Sequence, residues 1–210
     1  MVNLSCEREE RLIFSGLNAQ YDAGDVVHIA GPNGVGKTTL MRIVTGLSSH
    51  YEGEVRWCGE VARGYEFHSS LLYHGHHAGI NPSLTPLENL HWYFGLNGVA
   101  AASARSSLDT VFLNALAKVG LTGYGDIPCL HMSAGQQRRV ALARLYISEA
   151  PLWVLDEPFT AIDKAGVAQL EQRIDDHAKS GGLVLLTTHQ ASALGNLKTL
   201  NMAKFAGGEQ

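Results

Sequence analysis

Cysteine is scarce. Cys6, Cys58 and Cys129 are the only three in 210 residues, and they stand far apart. None forms a CxxC pair, so the chain carries no disulfide framework. No uncharged apolar run approaches the ~18 residues that cross a bilayer, which excludes a membrane-inserted helix. Charge is also sparse: Asp, Glu, Lys and Arg make up 17% of the chain and sum to a net -4, against a usual charged fraction of ~25%. Without a basic excess, nucleic acid is not an expected partner. The N-terminus, MVNLSCEREER, is charged where a secretory signal is apolar, which predicts a location on the cytoplasmic side. What remains is a 45% hydrophobic fraction, enough to fill one core and to exclude wholesale disorder. Glycine is in excess, at 23 residues, and its positions carry information.

The apolar run Val26 to Ala30 ends at Gly31 and reads as a buried strand, followed by MRIVTGL with helical spacing. The stretch GEVRWCG at 53–59 suggests a hairpin strand. Thr85-Pro86-Leu87-Glu88 is a helix start, with a capping residue, proline in the first turn and an acid to close a capping box. Leu108, Val111, Phe112, Ala115, Leu116 and Val119 follow helical periodicity up to Gly120, and Ser133 opens a further helix. Leu152 to Leu155 and Leu183 to Leu186 read as buried strands, separated by a helix through Val167, Leu170 and Ile174. Strands alternating with helices predict an α/β fold with a largely parallel sheet. The last stretch, roughly 195–210, reads as a loosely specified tail.

Between the first strand and its helix stands Gly31-Pro32-Asn33-Gly34-Val35-Gly36-Lys37-Thr38-Thr39, a match to GxxxxGK followed by Ser or Thr. A loop that wraps phosphates must turn backbone N–H groups inward, and glycines at 31, 34 and 36 permit it. The helix that follows presents its positive end to an anion. Lys37 would reach β- and γ-phosphates, and the Thr38 hydroxyl would take a place on Mg²⁺. Downstream, Leu152-Trp153-Val154-Leu155 runs into Asp156 and Glu157. Strand alternation aims those two carboxylates in different directions. Asp156 would hold Mg²⁺ or its water, and Glu157 would orient and deprotonate an attacking water, which is most of what phosphoryl transfer requires. ATP and Mg²⁺ are the implied cofactors.

Further motifs identify a family. Ser133-Ala134-Gly135-Gln136-Gln137 resembles the LSGGQ signature of ABC-transporter ATPases, with Met132 and Ala134 as departures; Phe159-Thr160-Ala161-Ile162-Asp163 resembles their D-loop, and Thr187-Thr188-His189 their switch-histidine strand. The resemblance implies a P-loop NTPase ABC cassette: a mostly parallel core sheet, a small antiparallel β subdomain and a helical signature subdomain at roughly 84–148, in one domain spanning 1–210. It implies that His189 steadies the γ-phosphate, with Glu157 and Lys37 as its catalytic companions. It also implies a head-to-tail homodimer in which ATP on one phosphate loop is held by Ser133, Gly135 and Gln136 of a second ATP-binding subunit. Integral membrane transporter subunits would dock near 77–88, making the chain peripheral on the cytoplasmic face of a bacterial inner membrane. CEREER at 6–11, LTPLENLHWYF at 84–94, SAGQQRRVALARL at 133–145, LWVLDEPFTAID at 152–163 and LTTHQ at 186–190 resemble more closely the ATP-binding subunit of the haem-exporter family called CcmA, which serves cytochrome c maturation. Haem would then be handled only indirectly, through the complex; an ATPase for another exported substrate is the alternative.

Two positions depart from the ABC pattern. His77 stands where the family carries its Q-loop glutamine, a residue that contacts Mg²⁺; a neutral imidazole could bond water or ATP. Arg8 stands where an aromatic residue stacks on adenine. Its guanidinium plane could stack instead, or be an ordinary solvated surface arginine. His74, His76 and His77 form an HGHH cluster, better read as a solvent- or partner-facing loop than as a metal or haem site, since no Cys or acid joins it at ligand spacing.

Overall fold

Short apolar segments build the central sheet. In the computed structural model, which describes residues 1–96, 105–189, 194 and 197–207, the chain divides into two units. One comprises Met1–Tyr73, Ala150–Pro158 and Ile174–Gln210; the other comprises His74–Glu149 and Phe159–Arg173.

The first unit holds strands β1 (Val2–Arg8), β2 (Arg11–Leu17), β3 (Val26–Ala30), β4 (Glu52–Glu54), β5 (Arg56–Trp57) and β6 (Glu60–Val61), with helices α1 (Lys37–Val44) and α2 (Gly64–Ser69). β7 (Leu71–His74), β8 (Leu152–Asp156), β9 (Leu183–Thr187) and β10 (Leu197–Asn201) complete the five-stranded sheet, ordered β10-β3-β9-β8-β7. The pairs β10–β3, β3–β9 and β9–β8 are parallel. β8 and β9 are buried at all five positions, which is why they read as unbroken apolar runs: helices cover both faces of a parallel sheet. α1 turns Leu40, Met41, Ile43 and Val44 into a core shared with Ile29, Val154 and Leu185.

One feature of this unit bears out the small antiparallel β subdomain that the resemblance implied, and two differ from the sequence reading. A three-stranded sheet, β2-β1-β4, is present, and its first two strands are joined by Glu9 and Glu10, both at positive φ (52° and 62°), as a two-residue hairpin turn demands. The 53–59 stretch is split: β4 pairs antiparallel with β1, while the hairpin proper is β5–β6, turning at Cys58 and Gly59. Residues 197–207 are not a loose tail. β10 runs in register with β3 from Leu197↔Val26 to Asn201↔Ala30, and Met202 behind it is fully buried.

The second unit is helical: α3 (Pro86–Leu96), α4 (Arg105–Lys118), α5 (Ala134–Ala143) and the first turns of α6 (Lys164–Lys179). Its core joins Leu90 and Phe94 of α3, Phe112 and Leu116 of α4, and Val140 and Ala143 of α5. α3 opens with the expected capping box. The Glu88 N–H donates to Thr85 Oγ1 at 3.2 Å, and the Thr85 N–H donates to Glu88 Oε2 at 2.9 Å, a cap of about 1 kcal/mol. Asn89, 1% exposed, ties the preceding loop down. It accepts the Asn81 N–H at 2.8 Å and donates to the carbonyls of Asn81, Leu84 and Thr85.

Candidate nucleotide-phosphate site

The loop at 31–36 leaves β3 and enters α1 through three glycines at positive φ: Gly31 at 148°, Gly34 at 82° and Gly36 at 101°. Gly36 is the N-cap of α1. A Cβ there would fall 2.6 Å from Ile13 Cγ2 and 3.2 Å from Phe14 Cδ1, so backbone conformation and packing both exclude a side chain. Val35 is buried in the core and anchors the loop, whereas Pro32, Asn33 and Gly34 are exposed. Lys37 arches back over the loop, with Nζ donating to the carbonyls of Gly31 at 2.7 Å and Pro32 at 3.2 Å. The start of α1 has no side-chain cap, and its N–H groups together with this ammonium make a helix end chemically suited to an anion.

Asp156 ends β8, nearly buried at 4% exposure. Its Oδ2 accepts from Thr38 Oγ1 at 3.1 Å and its Oδ1 from Thr187 Oγ1 at 2.7 Å. The same Thr187 oxygen accepts the Glu157 N–H at 3.0 Å. Glu157 sits at φ 52°, outside the strand conformation, and its Oε1 lies 3.5 Å from His189 Nε2. The two acids therefore diverge: Asp156 faces Thr38 and Glu157 faces His189. Nearby on β7, burial and then the charge of Asp156 push the Tyr73 phenol above its ordinary value. Lys37, Thr38, Asp156, Glu157 and His189 all belong to the first unit. So does Arg8, which ends β1 opposite Arg11. It lines a cleft of about 570 Å³ together with Thr39, Arg42, Ser49 and His50.

The remaining candidates belong to the second unit. Ser133 is the N-cap of α5 in a full capping box. Its Oγ accepts the Gln136 N–H at 3.2 Å, and Gln136 Oε1 accepts the Ser133 N–H at 2.8 Å. The N–H of Gln136, one of the three residues expected to hold a second subunit's ATP, is thus engaged by the cap. Gly135 lies against the backbone of Ala161, whose own φ is 61°. His77 is exposed, its ring edge-on to that of His76. The HGHH cluster is split by burial. His74 lies in the interior, where desolvation and then the charges of Arg138 and Arg144 lower its pKa to about 3. Arg138 donates to the His76 carbonyl at 3.0 Å and Arg144 to the Gly79 carbonyl at 2.6 Å, so α5 and the turn after it grip the loop that carries His77. Among the described residues no group of three His, Cys, Asp or Glu side chains is arranged to hold a metal.

A profile described as ABC transporter matches residues 14–160. A cytochrome c biogenesis ATP-binding export protein, CcmA, of Saccharophagus degradans is 58% identical over 207 residues, which is 98% of this chain and 93% of the relative. The chain belongs to the CcmA branch of the ABC transporter family. Its relative of the same name in Haemophilus influenzae is 48% identical, with 97% of this chain and 94% of that protein covered. The fold is that of an ATP-binding cassette solved as a dimer in a post-hydrolysis state with ADP and phosphate bound, at a TM-score of 0.83 and 23% identity, over 96% of this chain and 93% of that one. Among the described residues no helix is long and apolar enough to cross a membrane.

Within this ABC cassette the structure adds one residue that motif reading passed over. Thr187 was visible only as part of the Thr-Thr-His run, yet it touches both acids. The signal was its place one residue past the apolar run of β9, in register with Asp156.

Proposed function

We propose that this chain is the ATP-hydrolysing subunit of an ABC exporter that serves c-type cytochrome maturation. The observation that carries the reading is the unbroken line of contacts from Thr38 through Asp156 and Thr187 to Glu157 and His189. It joins a phosphate-binding helix end to a carboxylate that faces away from it. The names of the close relatives support the export role and the cytochrome c pathway.

In this reading the loop N–H groups and Lys37 bind the triphosphate, Lys37 exchanging its two carbonyl bonds for phosphate oxygens. Thr38 Oγ1 and the Asp156 carboxylate, 3.1 Å apart, are hard oxygen donors suited to Mg²⁺. They would hold that ion, which supplies neutralisation of phosphate charge. Glu157 accepts a proton from water as that water approaches the γ-phosphate, and His189 holds the γ-phosphate and orients the Glu157 carboxylate. Most of the rate acceleration comes from such positioning and charge compensation. Arg8 lays its guanidinium on the base in the cleft beside Thr39. His77 offers one ring nitrogen to water or nucleotide at the position of the family's glutamine.

The chain works as half of a pair. Ser133 and Gly135 at the start of α5 would receive the γ-phosphate of ATP bound to a second copy, with Gln136 capping that helix. The loop at 77–88, pinned by Arg138, Arg144 and Asn89, would take the membrane subunits, so the cassette lies on the cytoplasmic face of the inner membrane, single-domain over 1–210. In a bacterium lacking its own CcmA-type cassette, but retaining that organism's membrane subunits, the wild-type chain should restore covalent haem attachment to c-type cytochromes, and Glu157→Gln should not. Restoration of another export activity without haem attachment would assign the cassette to a different substrate.

A further inference from the structure

We propose that Thr187 is a positioning residue for hydrolysis, a single hydroxyl that sets the divergent geometry of Asp156 and Glu157. The inference rests on the hydrolytic reading of Glu157 above. Thr187 is the last residue of β9 and is fully buried, at 0% exposure. Its Cα pairs with that of Asp156 across the parallel ladder, which brings its side chain beside the end of β8. A hydroxyl has one proton to give and lone pairs to receive with, and both are used: Oγ1 donates to Asp156 Oδ1 at 2.7 Å and accepts the Glu157 N–H at 3.0 Å. The first bond ties one Asp156 oxygen and leaves the other facing Thr38. The second holds the Glu157 amide where the chain turns to φ 52°, a left-handed conformation that a residue with a Cβ adopts only when its surroundings hold it. With that amide held, the Glu157 carboxylate faces His189 rather than lying along the strand beside Asp156. In this chain Thr187 makes both bonds at this register position, and an aliphatic residue of the same shape cannot supply them.

The test compares Thr187→Val, which keeps the shape and deletes the hydroxyl, with Thr187→Ser, which keeps the hydroxyl, in the full-length chain. Hydrogen exchange of the Glu157 amide in nucleotide-free protein reads the bond directly, without turnover; kcat and KM for MgATP read its consequence. Thr187→Val should raise Glu157 amide exchange and lower kcat about 10–100-fold, the range for residues that orient catalytic or metal-binding groups. Its KM should stay within about threefold, since the phosphate loop that binds the triphosphate is untouched. Thr187→Ser should restore both. If Thr187→Val does not fold, Thr187→Ala serves the same comparison. Two results overturn the proposal: a Thr187→Val protein with wild-type kcat while Glu157→Gln is inactive, or a Thr187→Ser protein as impaired as Thr187→Val. If Glu157→Gln itself turns over normally, the hydrolytic role of Glu157 is what fails, and unchanged amide exchange in Thr187→Val would then overturn the positioning bond separately.

Discussion

Gly36→Ala and Gly34→Ala make a paired experiment on the phosphate loop. Both glycines have positive φ, 101° and 82°, so alanine at either incurs the left-handed backbone penalty of about 1–2 kcal/mol. They differ in space. At Gly36 the new Cβ would lie 2.6 Å from Ile13 Cγ2, a branched methyl close to the β2 backbone, and 3.2 Å from Phe14 Cδ1; at Gly34 nothing lies within 4 Å. Relieving the Gly36 overlap means shifting a strand or the start of α1, about 1–3 kcal/mol more. For a chain of this size roughly 2–4 °C of melting temperature accompanies each kcal/mol. Thermal unfolding without nucleotide should therefore show a fall of about 2–8 °C for Gly34→Ala and a clearly larger one, about 4–20 °C, for Gly36→Ala. Gly36→Ala should also lose ATP affinity, because the displaced end of α1 is the anion-binding end. Equal destabilisation by the two substitutions would refute the packing argument.

Three further outcomes follow from individual side chains. His74 has a folded pKa of about 3 against the ordinary imidazole value of 6.5. Between those values the unfolded chain binds a proton that the folded chain refuses, so this contribution is intact above pH 6.5 and declines on acidification. The loss is about 1.4 kcal/mol per pH unit, or about 2 kcal/mol at pH 5. Urea unfolding at pH 7.5 and pH 5 should show that loss shrinking in His74→Leu, and an unchanged pH dependence would contradict it. Asn89→Ala removes a side chain that holds Asn81, Leu84 and Thr85; about 2–3 kcal/mol of stability should go with it, measured by the same unfolding. Arg8→Ala should weaken ATP binding about 2–5-fold through lost stacking while leaving tripolyphosphate affinity unchanged; equal affinity for ATP would place the base elsewhere.

Local chemistry made much of this protein readable. β3, the glycine loop and α1 form one contiguous signal, and both capping boxes, Thr85 with Glu88 and Ser133 with Gln136, are written within four residues. β8 and β9 are legible because every position is apolar or nearly so. β1, β2 and β10 are not, because they expose most of their residues: β10 buries only Leu200 of Leu197–Asn201, and its pairing with β3 gives it strand structure. The same distinction runs through the site. Lys37, Thr38, Asp156 and Glu157 carry their chemistry in motifs, whereas Thr187 acquires its role from the register of two strands far apart in sequence. The three histidines of HGHH look alike as letters, but β7 carries His74 into the interior and leaves His76 and His77 in solvent.

Phosphate release from MgATP by purified wild-type and Glu157→Gln protein, with ATP affinity measured on the same samples, tests the hydrolytic assignment most directly. The expected result is hydrolysis by the wild type and undiminished ATP binding without turnover in Glu157→Gln. Near-normal phosphate release by Glu157→Gln would contradict it.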